Sequence, residues 1–437
     1  MKKISIKTVE LLAISWLLII VCLMPFVFYP FNGTFDAYIP RFLFLLIFGI
    51  LFSPIFIVNT QFFIFNEPMT LDIKLLLIYF LLIFLSTLHA DDKLAAIIGY
   101  HRFDGLLVML IYLMIFFVAK KVKIINRKMI FVILGLSCII CLHAILQKYK
   151  LDPIPQNLLI QSLYGLSYST MAHPNHLGSF IVILLPFSIH LYIEECEKSA
   201  LVFYCILFYA LLCTSTRGAW VGACISLLAY LYIKKKYHHT STQQFKRFIN
   251  VTVMTILLFI VLNLSENFES IIRVSSIFTD FNEVVNSGSN SLKSGSGRIA
   301  IWGKVIDIIK SNPILGIGIE NLGQVMNSVY REELYLKIGA YQTNDTAHNE
   351  YLQIAVTSGI PSLITFLGFL YISINKSIIK SKTSNLYLPV TSALFGYLAI
   401  GMFNNSLIMF EYLIWVLLGF ASSNVIVHYS ESDLNTG

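Results

Sequence analysis

Charge is scarce in this chain. Of 437 residues, 13% are Asp, Glu, Lys or Arg, against 57% hydrophobic and 14% aromatic, and the mean hydropathy is +0.75. So little charge cannot cover the two or three soluble domains that the length would otherwise suggest. Cysteine supplies no framework either. Cys22, Cys138, Cys141, Cys196, Cys205, Cys213 and Cys224 lie in or beside apolar segments, with neither CxxC nor zinc-like spacing, and read as small core hydrophobes. Gly316-Ile317-Gly318 stops short of the GxGxxG that a phosphate-loop reading needs. The net charge of +7 comes largely from lysines beside apolar runs, as membrane orientation requires, and does not indicate a nucleic-acid partner.

Long hydrophobic runs are abundant. About 20 apolar residues cross a hydrocarbon core as helix, and the pattern predicts an all-α polytopic membrane protein forming one integral membrane domain over 1–437. Twelve transmembrane helices are expected, at about 9–29, 41–58, 73–89, 104–120, 129–147, 175–193, 199–213, 217–233, 248–264, 348–373, 386–403 and 406–427. The first follows Met1-Lys2-Lys3 without a small-residue cleavage site and reads as a retained helix. One side carries 18 basic residues: Lys2, Lys3, Lys7, Lys74, Lys120, Lys121, Lys123, Arg127, Lys128, Lys198, Lys234, Lys235, Lys236, Lys246, Arg247, Lys376, Lys380 and Lys382. The short connections of the other side carry six, namely Arg41, Lys93, Arg102, Lys148, Lys150 and Arg217. The positive-inside rule therefore puts both termini in the cytoplasm.

The same rule puts residues 265–347, a polar insert between spans nine and ten, outside. Within it, Arg298 to Lys310 spaces Ile301, Trp302, Val305, Ile308 and Ile309 at helical intervals. That predicts an amphipathic helix lying on the membrane surface or capping the bundle. Ser294-Gly295-Ser296-Gly297 reads as its flexible lead-in and Asn312-Pro313 as its stop.

Polar groups kept near membrane depth are costly and usually functional, and several fall on the expected outer face. Tyr100–Gly105 contains Arg102; His173, Asn175 and His176 precede span six; Ser215–Gly218 contains Arg217; His348, Asn349 and Glu350 open span ten; Arg298 lies in the insert. Arg217 reads equally as a bidentate phosphate clamp or a snorkelling boundary residue. His348 is expected in the first turn of span ten, capped by Asn344 or Thr346. There the helix dipole disfavours imidazolium and suits a general base. Glu411, inside span twelve, could pair with Arg217 or Arg298, orient His348, or form a structural ion pair. His173 and His176 could ligate a metal, but the spacing offers no third ligand, and a polar helix start contacting sugar or backbone is the plainer reading.

The chain resembles the O-antigen ligase and O-antigen polymerase superfamily of bacterial envelope glycosyltransferases. The resemblance rests on STRGAW (Ser215–Trp220), SGRIAIWGKVIDIIKSNPILGIG (Ser296–Gly318) and AHNEYLQIAVTSGIPSL (Ala347–Leu363), with HPNHLGSF (His173–Phe180) and YHRFDGLL (Tyr100–Leu107) as weaker blocks. It implies an inner-membrane enzyme whose site faces outward. A glycan carried on undecaprenyl diphosphate would pass to an acceptor hydroxyl without a cofactor or metal ion. It implies Arg217 and Arg298 on the diphosphate and His348 on the acceptor. Arg102, His173, Asn175, His176, Asn349 and Glu411 are the expected substrate contacts. A polysaccharide flippase or transporter is the alternative, although such proteins usually show paired repeats or broken mid-membrane helices.

Overall fold

The computed structural model describes residues 5–29, 36–65, 67–122, 124–125, 127–154, 166–266, 271–272, 275, 298–338, 344–424 and 428–429. The fold is all-α apart from a two-residue parallel pairing of Ile124–Ile125 with His428–Tyr429. Before the insert come α1 (Ile6–Leu23), α2 (Tyr38–Val58), α3 (Leu71–His89), α4 (Lys93–Ile98), α5 (Leu106–Lys121), α6 (Arg127–Lys148), α7 (Pro174–Ile193), α8 (Ala200–Cys213), α9 (Arg217–Tyr237) and α10 (Thr242–Ser265). The insert contains α11 (Arg298–Ser311), α12 (Leu322–Val329) and α13 (Arg331–Ile338); after it come α14 (Glu350–Ser358), α15 (Ile360–Ser381), α16 (Tyr387–Gly401) and α17 (Glu411–Ser422).

Among the described residues, α1, α2, α3, α6, α7, α10 and α15 are long and apolar enough to cross a membrane; α8, α16 and α17 are apolar but shorter. The chain is a polytopic membrane protein. Burial separates centre from periphery: 94% of the apolar window of α7 is inside the protein, against 17% of that of α10. Ile249, Val253, Ile256, Ile260 and Leu264 accordingly face outward from α10, which suits a helix solvated by lipid. Where helices are surrounded by other helices, small residues let backbones approach. A Cβ on Gly222 would lie 2.6 Å from Ile400, and one on Gly396 would lie 2.8 Å from Val182. Ser226 Oγ donates to the Ser392 carbonyl at 2.9 Å. These contacts bring α7, α9 and α16 together.

The far ends of the helices carry ion pairs. Glu67 accepts from Lys120 and Lys121 at the end of α5, both at 2.7 Å, Lys234 pairs with Glu194 at the end of α9, and Lys376 meets Asp72 at 2.8 Å. The opposite ends converge on the candidate residues.

The segment expected as one helix over 348–373 is two, α14 and α15, broken at Gly359. Its φ is +89° and a Cβ there would sit 2.0 Å from the Ile314 carbonyl oxygen, so only glycine fits. The insert is what crowds it. Ile360 N donates to the Pro313 carbonyl at 2.8 Å, Ile317 N to Val356 at 3.0 Å and Gly318 N to Thr357 at 2.9 Å. The Asn312–Gly318 turn is thus laced to the α14–α15 junction. The amphipathic helix forms as α11, and its Ala300, Ile301, Val305, Ile308 and Ile309 pack with Leu322, Met326, Leu334, Ala347, Ala355 and Val356 in a small second core. The expected lead-in Ser294–Gly297 lies outside the described residues, as do Met1, Lys2 and Lys3 of the expected amino-terminal orientation signal.

Candidate active site

A cavity of about 430 Å³ lies where α7 and α9 begin and α16 ends. His173, Asn175 and Ser179 line it from α7, Thr214 to Ala219 from the α8–α9 turn, Phe403 and Asn404 from beyond α16, and Arg298 from the start of α11. Sequence positions as distant as 173, 217, 298 and 404 therefore share one space.

Local chemistry explains each placement. Pro174 sits at the first position of α7, where its missing N–H costs nothing, and His173 caps the helix by accepting from Asn175 N through Nδ1 at 3.1 Å. With Nδ1 used as an acceptor, the neutral ring carries its proton on Nε2. Arg217 is the first residue of α9, with Thr216 as its cap in an extended conformation. The Thr214 and Thr216 hydroxyls lie 2.8 Å apart, and Gly218 packs against Phe403. Asn404 Nδ2 donates to Ser179 Oγ at 3.1 Å, closing α7 against the end of α16. Two helix amino termini therefore border the cavity, each a favourable place for an anion.

The arginines oppose each other electrostatically. Burial and then the Arg217 charge hold Arg298 below its ordinary pKa, although an arginine stays protonated at any physiological pH. Two like charges facing one cavity repel, and an anion between them would relieve that repulsion. Burial, then Arg102 and Arg298, push His173 down to about 4. The same three causes, in the same order, hold His348 at about 4, while Asp345 pulls in the opposite direction.

His348 is not in a helix. The cap of α14 is Asn349, whose Oδ1 accepts from Tyr351 N at 3.0 Å and Leu352 N at 3.1 Å; neither Asn344 nor Thr346 has that role. His348 sits just before the cap in the left-handed region, at φ 48°. Its neutrality arises from burial and two arginines rather than from the dipole of its own helix. Trp302 Nε1 on α11 donates to the Ala347 carbonyl at 2.9 Å, and Ala347 N donates to Gln353 Oε1 at 2.8 Å.

Other expected substrate contacts make hydrogen bonds within the protein. Arg102 is clasped by Asp345, Nε to Oδ2 at 2.7 Å and Nη2 to Oδ1 at 2.9 Å. Asn349 also donates from Nδ2 to the Met402 carbonyl at 3.2 Å. His176 is buried, donating from Nδ1 to the Met171 carbonyl at 3.0 Å, and is not among the residues lining the cavity. Glu411 pairs with neither arginine. It accepts from Trp415 Nε1 at 3.0 Å and lines a separate cavity of about 60 Å³ with Asp104, Glu320, Glu350, Thr346 and Asn405. Among the described residues no group of three His, Cys, Asp or Glu side chains is placed to hold a metal ion, so His173 and His176 do not find a third ligand there.

Sequence reasoning gave no site role to Asp345, Trp302, Ser179 or Asn404. Asp345 had one available signal, its position three residues before His348. The others are visible only once helices distant in sequence meet.

Backbone strain gathers at the same end. Phe103, Ala172, Ser215, Glu320 and His348 are non-glycine residues with φ between 48° and 59°. Each adjoins or belongs to a segment just described, and such conformations persist only where surroundings enforce them.

No curated protein matches the chain. Residues 202–367, from α8 through the insert and into α15, match a family model described as O-antigen ligase.

Proposed function

We propose that the protein is a bacterial inner-membrane glycosyltransferase that takes a glycan from undecaprenyl diphosphate and transfers it to an acceptor hydroxyl. In this reading the chain crosses the membrane twelve times, with both termini cytoplasmic and the cavity facing outward. The observation that carries the proposal is the pair of mutually repelling arginines, Arg217 and Arg298, on one cavity bordered by two helix amino termini. A diphosphate is an anion of suitable size and charge for that setting.

The mechanism follows from charge. His348, neutral at physiological pH, takes the proton of the acceptor hydroxyl. The acceptor oxygen attacks the anomeric carbon from the face opposite the diphosphate, and the bond from that carbon to the diphosphate oxygen breaks, inverting the centre. Negative charge grows on the departing lipid diphosphate. Preorganised guanidinium groups stabilise it, and no metal ion is required. His173, proton on Nε2, and Asn175 supply further hydrogen bonds to donor phosphate or sugar. A ligase moves the glycan to another kind of acceptor, and a polymerase extends a lipid-linked chain.

The test is to incubate protein reconstituted in vesicles with a polyprenyl diphosphate-linked oligosaccharide. Longer chains on the same lipid identify a polymerase, and glycan on an added acceptor identifies a ligase. Movement of intact donor across the vesicle membrane without transfer would favour a flippase and overturn the proposal.

A further inference from the structure

The His348 segment has to be held. A non-glycine residue at φ 48° persists only where its surroundings enforce it, and this one lies outside any helix that could fix it. Trp302 and Gln353 grip the Ala347 peptide on its two sides, and Asn349 anchors the next residue to Met402. Those bonds are all uncharged. The charged one is Arg102 on Asp345, a two-point clasp with both side chains mostly buried, 18% and 21% exposed. It ties the carboxy-terminal end of the insert to the turn preceding α5. Tyr100 N donates to Glu320 Oε2 at 3.1 Å, so the same turn is tied to the insert twice.

We infer that Asp345, clasped by Arg102, is the positioning residue that holds the His348 segment in its left-handed conformation and balances the positive charge around its imidazole. The inference rests on the reading of His348 as the base. The charged and titratable groups acting on His348 are Arg102 from the turn before α5, Arg298 from α11, His173 from the cap of α7, and Asp345 from its own segment. Glu320 acts behind them, on Arg102 and Asp345. Within the clasp the two charges offset each other, so removing either partner exposes the other. Loss of Asp345 leaves His348 facing cations alone; loss of Arg102 leaves it facing an unbalanced carboxylate. The two perturbations therefore act on its proton affinity with opposite signs, which a merely structural clasp would not do.

The experiment measures kcat against pH for full-length reconstituted protein with a polyprenyl diphosphate-linked oligosaccharide as donor. The base must be deprotonated, so the rate falls as pH drops through its pKa. Arg102→Gln should move that acid limb to higher pH by about one unit, equivalent to about 1.4 kcal/mol. Asp345→Asn should move it lower and cut the plateau kcat at least tenfold with donor KM little changed. Asp345→Glu, which keeps the charge, should keep the limb where the parent has it. If Asp345→Asn does not accumulate in the membrane, the Arg102→Gln shift decides alone. Rates that fall while the limb stays fixed, or limbs that move in the same direction in both variants, overturn the inference and leave the transferase reading intact. Transfer retained by His348→Gln would instead overturn the base assignment itself.

Discussion

Replacing Arg217 by lysine keeps the charge and changes its shape. The position is the first residue of α9, bracketed by the Thr216 cap and by Gly218 packed on Phe403. Lysine is a good helix former, so the backbone there should survive. What is lost is the planar fork. Guanidinium meets two phosphate oxygens at once, whereas an ammonium is a mobile point charge. Removing one preorganised donor from a developing negative charge costs about 10²–10³ in kcat, or about 3–4 kcal/mol. Arg298 shares the cavity and would retain part of the stabilisation, which places the expected loss at the lower end, about 100-fold. Arg217→Ala should be only modestly worse. The assay is the initial rate of glycan transfer by reconstituted variants at matched membrane content. A lysine variant within tenfold of the parent would refute the two-point clamp and favour a snorkelling role.

His348→Ala should abolish transfer while leaving binding of the lipid-linked donor largely intact, measured directly on the purified variant; lost donor binding would move His348 to the donor side. Burial and two arginines depress His173 and His348 to about 4 in the folded protein, against 6.5 for the free side chain. The unfolded chain therefore binds more protons between those values. Stability should be intact above about pH 6.5 and fall as the pH drops towards 4, by at most about 3 kcal/mol per histidine, and a midpoint of thermal unfolding that rises on acidification would contradict this. Gly359→Ala should cost at least about 2 kcal/mol, since it forces both a left-handed alanine and a collision with Ile314. Limited proteolysis should then cut the insert faster, and unchanged resistance would mean that the docking seen at Gly359 is dispensable.

The helices were legible because hydrophobic length is a local property, and a helix lies in each segment where one was expected. The two-helix form of 348–373 was not. Gly359 is a single residue in an otherwise continuous apolar pattern, and the strand of chain that crowds it, Pro313–Gly318, lies about 45 positions earlier. The arginines and histidines were visible as charge where charge is expensive. Their uses were less so, because a side chain's partner is a tertiary fact. Arg102 looked like a ligand for substrate and is engaged by Asp345; Glu411 looked like a counter-ion and instead bonds Trp415. His348 was expected to be neutral, and it is, but through burial and neighbouring arginines instead of a helix dipole.

Arg217 and His173 stand on helices rooted in the large core of the bundle, which includes Leu177, Ala219 and Ile400. Arg298 and His348 stand beside Ala300, Ile301 and Ala347, in the small core of the insert. Arg217 and Arg298 thus meet across a seam between two apolar clusters of very different size. Heat or mild denaturant should loosen the smaller one first, carrying away one arginine and the histidine while the membrane bundle keeps its helices. Inactivation should then precede any loss of circular dichroism, and cooling should restore turnover as readily as the insert can dock again.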